Sequence, residues 1–303
     1  MRIEDLNNDV KNKNNVYIKG ILMESDIKTS TYDDKATGKK VENISGSILV
    51  RVPLKEEDGG VSDIKVHLFS KKYNNDNKVS KLYLGILDLK ENYVSAASCG
   101  DIDKADRIVV SGGAVEMNEY WGRNDKLVSF PRITGKFFKK ASATGFEPEA
   151  TFEVQGVVLS MNPSGENEDM LALNMLVPQY ASKSDVVPFI VKTPSVIQGI
   201  QTYWKTGDTV VVKGYINFSV TTTTYEEESF IGGTETKTRT TNVSELVILK
   251  GTAPMEDGYD YDSCERALDA RDQRLKADKE RSKTKTAEKT NANFLADRKN
   301  LGF

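Results

Sequence analysis

VYIKGILMES, from Val16 to Ser25, and FEVQGVVLSM, from Phe152 to Met161, open the two halves of this chain in the same way. Both alternate apolar and polar residues with a period of two, as a strand with one buried face does. Both interrupt that pattern with a glycine, Gly20 in the first and Gly156 in the second. A glycine there marks a bulge or a sharp bend, such as the one that lets a strand curl to close a barrel.

The two halves also continue alike. The first half goes on to two strand-like runs, ISGSILVRV (Ile44–Val52) and VSDIKVHLFS (Val61–Ser70). The second goes on to MLALNMLV (Met170–Val177) and VVPFIVK (Val186–Lys192), where Pro188 implies an edge or irregular position. A helical stretch comes next in each: SKLYLGILDLKENYVSAA (Ser80–Ala97) and SVIQGIQTYW (Ser195–Trp204), both led by a serine suited to an N-cap. ADRIVVSG (Ala105–Gly112) and GDTVVVKG (Gly207–Gly214) then resume the strand pattern, and each half closes with a polar hairpin and a last strand. Strand, strand, strand, helix, strand, strand is the order of the OB-fold, a five-stranded Greek-key barrel. The expected fold is therefore mainly β: two tandem OB-like barrels, each with one helix between strands three and four, and a C-terminal charged helix. A generic antiparallel sandwich without a ligand groove is the alternative. The divisions expected are 1–145 and 146–254 for the barrels and 255–303 for the tail.

The tail begins with an acidic linker, MEDGYDYD (Met255–Asp262), and continues as a mixed-charge helical pattern. Leu268 and Leu275 are its only large aliphatic residues before Phe294. With no apolar stripe to bury, a frayed, solvated helix is expected, and a dedicated partner helix is the alternative.

Formal charge is segregated. Residues 1–145 carry 24 Lys and Arg against 21 Asp and Glu, a net of +3; residues 146–262 carry 7 against 17, a net of −10; residues 263–303 carry 11 against 7, a net of +4. A polyanion is expected to meet the first half rather than the second. No run is apolar and long enough to span a bilayer, and the polar start MRIEDLNNDVKNKNN lacks the apolar core of a secretory signal, so a cytoplasmic protein without membrane contact is expected. Cys99 and Cys264 are expected to be free thiols. His67 is the sole histidine, and no CxxC, HExxH or Walker-type glycine loop occurs, so neither an enzyme nor a bound cofactor or metal is expected.

Splitting each strand by its alternation separates a core face from an outer face. In the third strand Ile64, Val66 and Leu68 point inward, leaving Lys65, His67, Phe69 and Lys71 outside, continuing to Tyr73. Arg51, with Ser45 and Ser47, faces out on strand two, and Tyr17 and Lys19 face out on strand one. The last strand turns Leu127 and Ile133 inward and Phe130, Arg132 and Lys136 outward, and the hairpin before it adds Tyr120, Trp121 and Arg123. Cations interleaved with rings suit single-stranded nucleic acid: the cations displace counterions from phosphates, and each ring stacks an unpaired base for about 1–3 kcal/mol. The second half lacks this chemistry. Its outer set, including Met170, Ala172, Asn174, Leu176, Val186 and Ile190, suits packing on the other barrel, self-association or a protein partner. Its hairpin could still reach a strand through Tyr225, Lys237 and Arg239.

On the doubled strand order across Val16–Gly251, the YIKG and FEVQG openings and the basic-aromatic face, the chain resembles tandem OB-fold single-stranded DNA-binding proteins of the bacteriophage type. The resemblance implies coating of unpaired DNA without strong sequence preference, in replication or recombination. It also implies replication or recombination proteins as partners, met through the second barrel or the tail. Members of that group often end in an acidic tail with an apolar tip. Here the tail is net basic, although it ends on Phe303. Two other functions fit the same residues: a structural or scaffolding protein using its barrels for protein contacts, and an RNA-binding OB module.

Overall fold

A computed structural model describes residues 2, 13–33, 38, 40–54, 60–122, 125–179, 183–229 and 233–300, without the side chains at 221–223, 227–229, 234–235, 239 and 282–300. The chain is mainly β. Its first half contains β1 (Asn14–Asp33), β2 (Lys40–Pro53), β3 (Val61–Lys71), α1 (Lys81–Asn92), α2 (Ala96–Cys99), β4 (Arg107–Gly113), β5 (Val115–Trp121), β6 (Leu127–Thr134) and β7 (Phe137–Lys140). Its second half contains β8 (Glu149–Ser164), β9 (Met170–Pro178), β10 (Ser184–Val191), α3 (Pro194–Tyr203), β11 (Thr209–Asn217), β12 (Val220–Ser229), β13 (Gly233–Asn242) and β14 (Glu245–Gly251), with α4 (Tyr261–Asn300) after it.

Strand pairing runs in a circuit through each half. In the second, β8 pairs β9, β9 pairs β10, β10 pairs β14 in parallel, β14 pairs β11, and β11 returns to β8. In the first, β1, β2 and β3 pair in order, β3 pairs β6 in parallel at Val66↔Ile133, and β4 pairs both β7 and β1. β6 and β7 are two pieces of one run interrupted at Gly135–Lys136, so that circuit closes through a kink.

The repeated glycines occupy matching places. Gly20 sits across from Ile108 and Gly156 across from Val210, and a bulge comes after each, between Leu22 and Glu24 and between Val158 and Ser160. A Cβ on Gly20 would stand 2.5 Å from the Arg51 carbonyl oxygen, and one on Gly156 would stand 2.7 Å from that of Leu176. Each opening strand thus crosses its neighbour too closely for any side chain.

The sequence pattern does not announce how the halves join. Asn14–Lys19 of β1 pairs antiparallel with Glu149–Val154 of β8, and the corresponding residues Val16 and Phe152 face each other. The two opening strands therefore meet about a local pseudo-twofold, and one hydrophobic cluster runs through both halves, including Val16, Ile18, Phe152 and Val154.

Where one helix is expected between strands three and four, the first half has two, because Ser95 caps the short α2 separately from α1. Three further expectations need correction. Ser80 caps α1, but Thr193 precedes α3 and Pro194 opens it, leaving Ser195 inside the first turn. Proline has the helical φ and no N–H to satisfy, so it displaces serine from the boundary. Leu127 is exposed, because the β5–β6 hairpin projects past the core that holds Ile133.

The third concerns the tail, whose first half docks. Asp260 accepts from the Ser263 N–H at 2.9 Å where α4 begins. Tyr259 and Cys264, with Ala267 and Leu268, then pack on Val157, Leu159, Leu176 and Val186. The outer face expected to meet another barrel, a second copy or a protein partner is therefore covered in part by the chain's own helix. Burial, and after it the nearby Asp260 carboxylate, pushes the Cys264 thiol up to about 11. Cys99 lies exposed at the end of α2. Under native conditions a disulfide reagent is expected to modify one thiol per chain rapidly and the second only on unfolding. Two equally fast thiols would contradict the docking of α4.

Candidate nucleic-acid interface

The outer surface of β2 and β3 is built by their antiparallel register. Ser45 lies opposite Phe69 and Ser47 opposite His67, so small hydroxyl side chains flank each ring. Phe69 is 56% exposed. Ser45, His67, Phe69, Arg132, Thr134 and Lys136 line one groove of about 610 Å³, in which β6 and the kink after it form the wall beside β3.

Of the expected residues, His67, Phe69, Arg132 and Lys136 come together here. Lys65 and Lys71 lie exposed on the same face of β3, and Tyr73 is exposed beyond its end. Tyr120 and Phe130, exposed on the β5–β6 hairpin, meet edge to face with ring centroids 6.4 Å apart. Lys65, Lys71 and Lys136 form no ion pair among the described residues, and their ammonium groups are open to an anion.

Of the remaining five, Arg51 stays on this face with its charge taken, and Tyr17, Lys19 and Trp121 lie elsewhere. Arg51 is held in a bidentate pair by Asp63, at 2.7 and 2.6 Å, and that bond raises its pKa. The register places these two residues directly opposite each other. Tyr17 lines a separate cleft at the junction of the halves. Lys19 stands 5.1 Å from the centroid of the Phe146 ring, which Arg107 also approaches. Arg123 falls outside the described residues. Trp121 lies under α4: its Nε1–H donates to the Leu275 carbonyl at 2.8 Å, and the Lys279 ammonium stands 4.3 Å from its ring centroid. Within the groove, Arg132 shares its charge with Glu116, at 2.5 Å.

Sequence reasoning missed the junction beneath α4. Glu119 of β5 accepts from Arg271 and, at 3.2 Å, from Arg274, which also reaches Asp185 of β10 at 3.3 Å. Burial raises the pKa of Asp185, against the Met117 N–H that donates to it at 3.0 Å and the charge of Arg274. No local spacing reveals this cluster, since its members come from three separate elements.

Burial lowers the pKa of His67, and the charges of Arg132 and Lys65 add to the shift. The ring is therefore neutral at pH 7 and presents a flat face. Below its ordinary value of 6.5 the free fold binds fewer protons at His67 than the unfolded chain does. Stability from this group accordingly rises with pH through that window and is lost on acidification. Bound phosphate favours the imidazolium, so affinity for a polyanion is expected to rise as the pH falls below the ordinary value of 6.5. His67→Gln should flatten its share of that rise. An unchanged pH dependence in the variant would place His67 outside the contact.

The family model called YorF matches residues 12–282. The chain belongs to the YorF family. No curated protein matches it. Among solved structures, this YorF-family chain is similar to the wild-type single-stranded DNA binding protein from Thermus aquaticus and to a deletion mutant of it. Each is 10% identical with a TM-score of 0.44; the matches cover 83% and 82% of this chain, respectively, and 97% of each of those chains. No described helix of the YorF-family chain is long and apolar enough to cross a membrane.

Proposed function

We propose that this protein binds single-stranded DNA along the β2–β3 face of its first half, and that both pairing circuits are OB-type barrels. The observation that carries the reading is the groove itself. Phe69 and His67 lie side by side with small serines opposite them, and Lys65, Lys71 and Lys136 stand around them without ion pairs among the described residues. Rings spaced along a strand accept consecutive unpaired bases, and free ammonium groups replace counterions on the backbone between them. The exposed Tyr120–Phe130 pair extends the stacking surface onto the hairpin. In an OB barrel this surface, between the first hairpin and the hairpin joining strands four and five, is where oligonucleotides bind.

Stacking and phosphate contact read no base edge, so the binding is largely independent of sequence. Coating of unpaired DNA in replication or recombination is the setting that fits such binding. The bacteriophage setting comes from the sequence resemblance alone. Fluorescence anisotropy of a labelled oligo-dT, with an RNA oligomer and a duplex as comparisons, tests the reading. Binding to the DNA single strand that weakens steeply with salt, with weak duplex binding, is expected. Absence of binding at low salt contradicts it and favours a scaffolding role, and a preference for the RNA oligomer redirects it to an RNA-binding module.

A further inference from the structure

We infer that the single strand leaves the β2–β3 groove over the kink between β6 and β7 and occupies a second cleft, at the junction of the two halves; this rests on the β2–β3 groove being the primary binding face. The cleft, of about 600 Å³, is lined by residues that include Tyr17, Ser111, Gly112, Glu153, Lys213 and Lys250.

The two clefts adjoin. Thr134 and Lys136 line the first, and Gly112 lines the second. The Thr134 hydroxyl accepts from the Ala114 N–H at 3.1 Å, tying the two strand bends together. A Cβ on Gly112 would stand 2.7 Å from the Phe137 ring and 3.8 Å from Lys136 Cβ. Phe137, 57% exposed, therefore sits on the rim between the clefts, and Tyr17, 38% exposed, lies beyond it. The order along the surface is Phe69, Lys136, Phe137, Tyr17: the ring-and-cation chemistry of the first groove carried across the edge of the sheet.

Charge supports the same occupant. Lys213 and Lys250 lie opposite each other on β11 and β14. Glu153 is the one carboxylate among the lining residues, and it already serves Lys213 at 3.0 Å and Lys13 at 3.4 Å. Lys250 forms no ion pair among the described residues, and the cleft is net positive although residues 146–262 are strongly acidic overall. A path that turns over a sheet edge requires a flexible polymer; duplex DNA, with a persistence length of about 150 base pairs, resists such a turn.

Two oligo-dT lengths separate the clefts. One OB barrel covers roughly 4–16 nucleotides, so an oligomer of about 8 fills the first groove and one of about 30 reaches both. Lys250→Glu and Phe137→Ala are each expected to weaken the long oligomer about tenfold while leaving the short one within about twofold. Phe137 also packs over Gly112, so Lys250→Glu, at an exposed strand position, decides the matter where Phe137→Ala fails to fold. Unchanged affinity at both lengths, or an equal loss at both, overturns the second cleft and leaves the first groove standing. Failure of the wild-type protein to bind either oligomer overturns the first groove, and the second with it.

Discussion

Arg271→Ala is expected to cost the folded protein roughly 3 kcal/mol and to loosen α4 from the β5–β6 hairpin. The Glu119 side chain is 3% exposed and that of Arg271 16%, so water and salt screen their pairing little. Without Arg271, Glu119 keeps only Arg274, which it must share with the equally enclosed Asp185. Two buried carboxylates then face one guanidinium. Stripping one partner from a buried pair costs about 3–5 kcal/mol, and the surviving Arg274 contact puts this case at the lower end. Adding Glu119→Gln should recover part of the loss, because the neutral amide no longer needs a cation, and the two changes should fall short of additive. Urea unfolding measures the stabilities, and exposure of the Cys264 thiol reports the helix. A stability within about 0.5 kcal/mol of wild type, the ordinary range for surface changes, would show that the junction does not hold α4.

Phe69→Ala combined with Tyr120→Ala is expected to weaken single-strand binding about a hundredfold or more, since each ring that stacks a base supplies about 1–3 kcal/mol. Both side chains are roughly half exposed, so the losses should leave the melting temperature close to that of wild type. Trp121→Phe should behave in the opposite way. Its indole is bound to the Leu275 carbonyl and covered by Lys279, so the change removes a hydrogen bond worth about 1 kcal/mol and leaves affinity unaltered. A variant pair in which Trp121→Phe abolishes binding and Phe69→Ala does not would relocate the interface to the hairpin tip under α4.

The parts of this structure written in local pattern could be read from the chain. Alternation in Ile64–Phe69 separates the buried from the open side of β3 without any knowledge of its neighbours, and Gly20 and Gly156 mark matching bends because a side chain at either would strike a backbone carbonyl. What depends on register or on distant partners could not be read. Arg51 has the composition of a phosphate contact, but the β2–β3 register sets Asp63 opposite it and spends its charge. Trp121 has the composition of a stacking platform, but α4 arrives from more than a hundred residues away and covers it. That helix looked solvated because it has no apolar stripe. It docks instead through a short patch, Cys264, Ala267 and Leu268, and then through two arginines whose carboxylate partners belong to β5 and β10. Pairing of β1 with β8 was equally silent, since an edge strand's choice of partner is not encoded in its own alternation.

The most direct test of the central proposal is photo-crosslinking of oligo-dT to the intact protein, with the modified residues located by mass spectrometry. Adducts at Phe69 or His67 of β3, joined by Tyr120 or Phe130 of the hairpin, are the predicted result. Adducts confined to the β12–β13 ribbon or to α4, or no adduct under conditions where a bound strand is saturated, would contradict it.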